Sequence, residues 1–204
     1  MNKKSGKKTL LMSVIMSSPG PLIIGLGLLV GQSTTQIADF VRRSIELLAI
    51  ILSFVIYCAT TKDDNIDVKK KEKLEFGTNI FVSFAMILGG ILMIIISLLS
   101  NNNDKGNVIP GLAIAILGVV ANLIFWIKYS KIGKKENNSI LIIQSKLYRA
   151  KTFVDGSVTI ALLVVLLSNN LIVSYYFNLI GTCVVSLYLI YTGISSFINV
   201  IKNK

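Results

Sequence analysis

Six stretches of this chain stay apolar for about twenty residues at a time, and that pattern leaves few folds open to it. About 20 helical residues, rising 1.5 Å each, cross a hydrocarbon core ~30 Å thick. The blocks fall roughly at 9–30, 36–60, 76–100, 108–127, 150–167 and 171–200. Little sequence lies between them. Lipid offers no hydrogen bonds to an open backbone, so spans must be helices or closed barrels, and runs of this length are helices. The expectation is an all-α, polytopic membrane protein. It has a single domain over residues 1–204, a bundle of six transmembrane helices and no C-terminal soluble domain. With 53% hydrophobic residues, the composition agrees.

The first block follows MNKKSGKK and could be read as a secretory leader. Its apolar part is long, and no small-residue cleavage site stands out after it, so it reads as a retained first helix. The formal charge is +11, which could point to nucleic acid, but its distribution points elsewhere. Lys3, Lys4, Lys7 and Lys8 precede the first block. Lys62, Lys69, Lys70, Lys71 and Lys73 separate the second from the third. Lys128, Lys131, Lys134, Lys135, Lys146 and Arg149 separate the fourth from the fifth, and Lys202 and Lys204 follow the sixth. The remaining connections carry Lys105 alone. Basic segments alternate with nearly empty ones, so the positive-inside rule puts both termini in the cytoplasm of a cell-membrane protein. The basic loops are expected to meet anionic lipid, not nucleic acid.

Several blocks carry polar punctuation. SSPGPLIIGLG in the first holds Pro19 and Pro21, which remove backbone donors and break a helix. The break reads either as a hinge or cavity wall, or as a tolerated kink. Ser139 to Leu147 is amphipathic, so the fifth helix is expected to begin before it enters lipid, near residue 139. NNNDKGN and SNN read as external turns. Cys58 and Cys183 fall inside apolar blocks without metal-ligand spacing, and the chain has no histidine.

The embedded charges carry the functional argument. An ionisable residue at a helix centre costs ~2.5–3.5 kcal/mol on insertion scales, so such residues face a bundle interior and have partners. Arg42 and Glu46 lie four apart in the second block; Lys151 and Asp155 lie four apart in the fifth. That spacing puts each pair on one helix face. Counted from the outer ends, Glu46 lies ~15 Å deep and Asp155 ~18 Å deep at 1.5 Å per residue. Two acidic groups near one level, with Arg42 above and Lys151 below, make a neutral cluster if the faces meet. One reading is a membrane-embedded cation or proton site. The other is a pair of structural i,i+4 salt bridges with Arg42 and Lys151 snorkelling to opposite interfaces.

These residues resemble a family pattern. The cation diffusion facilitator family carries S-x-x-x-x-A-D-x-x-H/D-x-x-x-D in its second helix; here Ser33, Ala38, Asp39, Arg42 and Glu46 stand at that spacing. Its fifth helix carries H/D-x-x-x-D, matched by Lys151 and Asp155. Glu75, Asn122 in GVVANLIFW, and Asn178 echo further positions in the third, fourth and sixth helices. The resemblance covers about residues 9–200 and implies a transporter of divalent cations, with Glu46, Asp155 and Asp39 as acidic groups. Asn178 and Asn122 would form a secondary polar lining. The chemistry departs from the family's tetrahedral site. Arg and Lys replace the first ligand of each pair; Arg cannot ligate, and Lys only after losing its proton. Glu46 and Asp155 remain as metal-binding candidates, a set better suited to a hard ion than to zinc. The sequence stops just after the sixth block, so any homodimer is expected to form through membrane helices or basic loops.

Two functions follow. The first is a cation transporter in which Arg42 and Lys151 act as tethered counter-ions to an inorganic cation. A related version is proton-coupled, with Lys151 as the switch, because burial lowers a lysine pKa while arginine stays charged. The second is a non-transporting membrane interaction protein held closed by the same ion pairs. An enzyme is not expected, since GxSxG, HExxH and Gly-rich phosphate loops are all missing, and no cofactor is implied.

Overall fold

The apolar blocks fold as helices that overrun the blocks' own ends. A computed structural model describes residues 3–30, 34–62, 67–99, 108–167 and 171–202. These form α1 (Lys3–Ser17), α2 (Pro19–Val30), α3 (Thr34–Lys62), α4 (Val68–Leu99), α5 (Val108–Glu136), α6 (Ser139–Leu167) and α7 (Leu171–Lys202). No strand occurs among the described residues. Both expected external turns, and Ser33, lie outside them. Among the described residues, four stretches are long and apolar enough to cross a membrane: Phe40–Thr61, Val68–Leu99, Ala115–Glu136 and Leu179–Lys202.

The first block differs from the single helix expected over 9–30. It is two helices that meet at Ser18. Pro19 has no N–H to give the Ile15 carbonyl, and its ring crowds that turn. The Ser18 hydroxyl takes over, donating to the Ile15 oxygen at 3.0 Å, while the Ser18 N–H still reaches Val14 O at 3.0 Å. The carbonyl that proline orphans is thereby satisfied locally, which an apolar medium requires.

Two helix pairs dominate the packing. α4 runs along α7, and α5 along α6. The first pair is a small-residue contact. A Cβ on Gly90 would lie 2.8 Å from the Ser186 carbonyl oxygen, and one on Gly193 would lie 2.9 Å from that of Ser83. Only glycine lets the backbones come this close, and close packing is what drives association between helices in lipid. The second pair is aromatic. Tyr148 of α6 stacks on Phe125 and Tyr129 of α5, with centroids at 5.2 and 5.3 Å. Hydroxyls tie α1 to this stack: Ser13 Oγ lies 2.5 Å from Tyr129 Oη, and Ser17 Oγ lies 3.1 Å from Tyr148 Oη.

α6 begins at a cap. Asn137 takes a left-handed φ of 45°, and Asn138 Oδ1 accepts from the Leu141 N–H at 3.1 Å. Ile140, Leu141 and Leu147 are fully buried, so the amphipathic opening of α6 is part of the core. One end of the bundle gathers the basic segments. There Tyr57 Oη, near the end of α3, donates to Glu136 Oε2 at the end of α5 (2.6 Å). Ser139 Oγ at the start of α6 donates to Glu75 Oε2 near the start of α4 (2.6 Å). Outward-facing Leu22, Ile23, Leu98 and Leu117 leave an apolar exterior suited to acyl chains.

Candidate functional site

Glu46 sits where α3 passes α4 and α6. Its residue is 5% exposed. Lys151 Nζ of α6 approaches Glu46 Oε2 at 3.3 Å, and Arg42 Nη1, one turn earlier on α3, lies 3.9 Å from Oε1. The carboxylate thus bridges an arginine of its own helix and a lysine of another. Lys151 also lies 5.2 Å from the Tyr148 ring centroid, where an aromatic face attracts a cation. Gly89 of α4 lies beside the acid: a Cβ there would make an ordinary van der Waals contact with Glu46 Oε1, at 3.6 Å.

Asp155 is placed differently. The i,i+4 spacing predicts an ion pair with Lys151, yet the ion-pair partner of Lys151 among the described residues is Glu46. Asp155 Oδ2 accepts instead from Asn122 Nδ2 of α5 at 2.6 Å. Gly118, one turn before Asn122 on the same face, makes this possible. A Cβ there would stand 2.6 Å from Asp155 Oδ2. The physical reason for the different partner lies between helices: a lysine side chain is long enough to choose between its own helix face and a neighbour's acid. Glu46, already sealed from solvent, offers the stronger attraction.

The structure therefore brings Glu46, Asp155, Arg42, Lys151 and Asn122 into one region. Both carboxylates also feel the charge of Arg43, whose guanidinium packs against Gly20 beside the α1–α2 break. Sequence reasoning gave Arg43 no role. It lies about 100° around the helix from Arg42, off the face that the i,i+4 argument follows. Its signal was the small Pro19–Gly20–Pro21 segment that it packs against. Asp39 and Asn178 lie within α3 and α7, but their side chains fall outside the described ones.

As a cation site, the arrangement offers two carboxylates among three fixed positive groups. Among the described residues, no three His, Cys, Asp or Glu side chains converge to hold a metal ion. A four-ligand zinc geometry is not built by these side chains. A cation reaching Glu46 Oε2 has to replace Lys151, and one reaching Asp155 Oδ2 has to displace Asn122. A cavity of about 730 Å³ opens at the basic end between α4, α6 and α7, and neither carboxylate lines it.

A family model described as the cation efflux transmembrane domain matches residues 10–203. Neither the curated proteins nor the solved structures give a match to this chain. The match takes in nearly the whole sequence, and the helical architecture and apolar exterior accord with it. The chain is a multi-pass membrane protein that belongs to the cation efflux, or cation diffusion facilitator, family.

Proposed function

We propose that this protein moves an inorganic cation, divalent or proton-coupled, through the α3–α6 interface, with Glu46 and Asp155 as its acidic groups. In this reading the chain crosses the membrane six times, α1 and α2 together forming one crossing, and both termini are cytoplasmic. Anionic lipid meets the basic loops, and a second copy of the chain is a natural partner. Arg42 and Lys151 occupy the substrate's place electrostatically. The observation that carries the reading is the 3.3 Å contact between Lys151 Nζ and Glu46 Oε2, made between helices and away from solvent. A cation can enter only as that contact opens, so occupancy and helix separation are coupled.

Flux in reconstituted vesicles tests this. Mn²⁺, Mg²⁺ and Zn²⁺ uptake is followed across an imposed pH gradient, for the wild type and Asp155→Asn. Flux in the wild type, lost in a variant that still inserts and folds, is the expected result. Equal flux in both sinks the assignment.

A second reading has its own support. Glu46 is paired twice and sealed, and the neighbouring cavity does not reach it. That is also how a locked structural cluster in a non-transporting interaction protein is built. Replacing Lys151 and Asp155 together with apolar residues separates the two: a structural protein survives the exchange, and a transporter loses its flux.

A further inference from the structure

Between Glu46 and the basic end, α3 and α6 are joined by side chains more than by backbone. The two helices come close over a short stretch only, far less than α4 and α7 or α5 and α6 do. Ser53 follows Glu46 by seven residues on α3, and Gln144 precedes Lys151 by seven on α6. Seven residues make about two turns, so both fall on the faces that the Glu46–Lys151 contact already brings together. Gln144 Nε2 donates to Ser53 Oγ at 2.7 Å and, less closely, to the Ala49 carbonyl at 3.4 Å. The Ser53 hydroxyl gives its own hydrogen to Ala49 O at 2.8 Å, so it can only accept from the amide. That orientation leaves Gln144 Oε1 buried without a hydrogen-bond partner. Four residues further along α3, Tyr57 Oη donates to Glu136 Oε2 at 2.6 Å, and Gly6 of α1 packs against the same hydroxyl. Gln144 and Tyr57 are both fully buried.

A seam that only holds two helices together is better built from apolar side chains. Leucine at position 144 would fill the space without orphaning an oxygen, and Ser53 would keep its bond to Ala49 O. A half-satisfied buried amide is less stable than an apolar contact, so its presence needs another reason. Opening supplies one. When the helices part, water satisfies every group of the amide, whereas wetting a leucine is unfavourable. The polar rungs therefore narrow the free-energy gap between a closed and an open seam. We propose that Gln144–Ser53 and Tyr57–Glu136 are the two bars of a gate between Glu46 and the basic end of the molecule. The bars stand ~10 Å and ~16 Å from Glu46 along α3, at 1.5 Å per residue. This inference rests on the reading that a cation moves along the α3–α6 interface, and it names the residues that close one leg of that route.

The test uses the full chain in oriented vesicles, with Cys58 and Cys183 replaced by alanine and Ala49→Cys as a reporter on the Glu46 side of both bars. A membrane-impermeant cationic thiol reagent is added from the face that carries the basic loops, and the rate of labelling is read by mass spectrometry. Flux of Mn²⁺, Mg²⁺ and Zn²⁺ is followed in parallel in the chain without the reporter. Tyr57→Phe removes one bar at nearly constant volume and should speed labelling at least tenfold. Gln144→Leu should slow both labelling and flux at least tenfold, with thermal melting at or above the wild-type value. An amide that is merely structural gives the reverse: lower melting and faster labelling. If Gln144→Leu fails to fold, Tyr57→Phe decides the matter by itself. The gate is overturned by labelling indifferent to Tyr57→Phe, or by a Gln144→Leu variant that melts lower and labels faster. Wild-type flux alongside either result leaves the transport reading standing. Absence of flux for all three ions in the wild type removes that reading, and the gate with it.

Discussion

Glu46 packs beside the helix α4 and Glu75 lies on it, and the bundle treats the two acids differently. Glu46 is enclosed, with Lys151 and Arg42 on its two oxygens. Glu75 has one oxygen on the Ser139 hydroxyl, while the other has no hydrogen-bond donor and only Lys71, at 4.0 Å. The first acid answers its charge with protein groups, so anything that binds there must first displace them. The second keeps one neutral hydrogen bond and a lysine at the edge of ion-pair distance. Burial and partners both tell the two apart: Glu46 is buried and paired twice, whereas Glu75 is only partly buried.

Removing a partner from the enclosed cluster should have the largest effect. Glu46→Ala strands Lys151 and Arg42 together and is expected to cost ~3–5 kcal/mol, as for a buried ion pair stripped of one member. Thermal or denaturant unfolding in micelles reads this directly, and adding Lys151→Met should recover a good part of the loss. A cost below ~1 kcal/mol would move Glu46 into the class of solvated surface pairs. Next in size is Asn122→Leu, which takes the only described donor from Asp155 and should cost ~1.5–3 kcal/mol, the scale of a hydrogen bond to a charged group. Stability unchanged in the same assay would mean that Arg43 or Lys151 holds Asp155 unaided. At the bottom is Ser196→Ala in the cavity. It deletes an atom with no protein partner, so the protein should keep its stability within ~0.5 kcal/mol. A drop comparable to that of Asn122→Leu would erase the distinction between the two regions.

Much of the architecture could be read from the chain itself. The all-helical fold, the membrane setting and the family follow from twenty-residue apolar blocks and from Ala38, Asp39, Glu46 and Asp155 at their spacings. The break beside Pro19 was also legible, because proline's missing donor is a local fact. The partner of Lys151 was not. Spacing along one helix nominates Asp155, four residues on, but the choice of Glu46 depends on how closely α3 and α6 approach. Arg43 escaped for a similar reason: its relevance comes from Gly20 on a different helix. The basic-end cavity was out of reach altogether, since its walls come from residues 69–79, 139–146 and 196–200.

What the amino-acid order determined by itself is everything that acts within one helix: where each apolar run starts and stops, where proline interrupts it, and which charges share a face. Tertiary structure alone decided which of those charges meet. It set Lys151 on Glu46, Asn122 on Asp155 and Ser139 on Glu75. Distances between helices depend on side-chain volume at their contacts, on glycines such as Gly90, Gly118 and Gly193, and no pattern along a single strand of sequence encodes which of two neighbours a long side chain will reach.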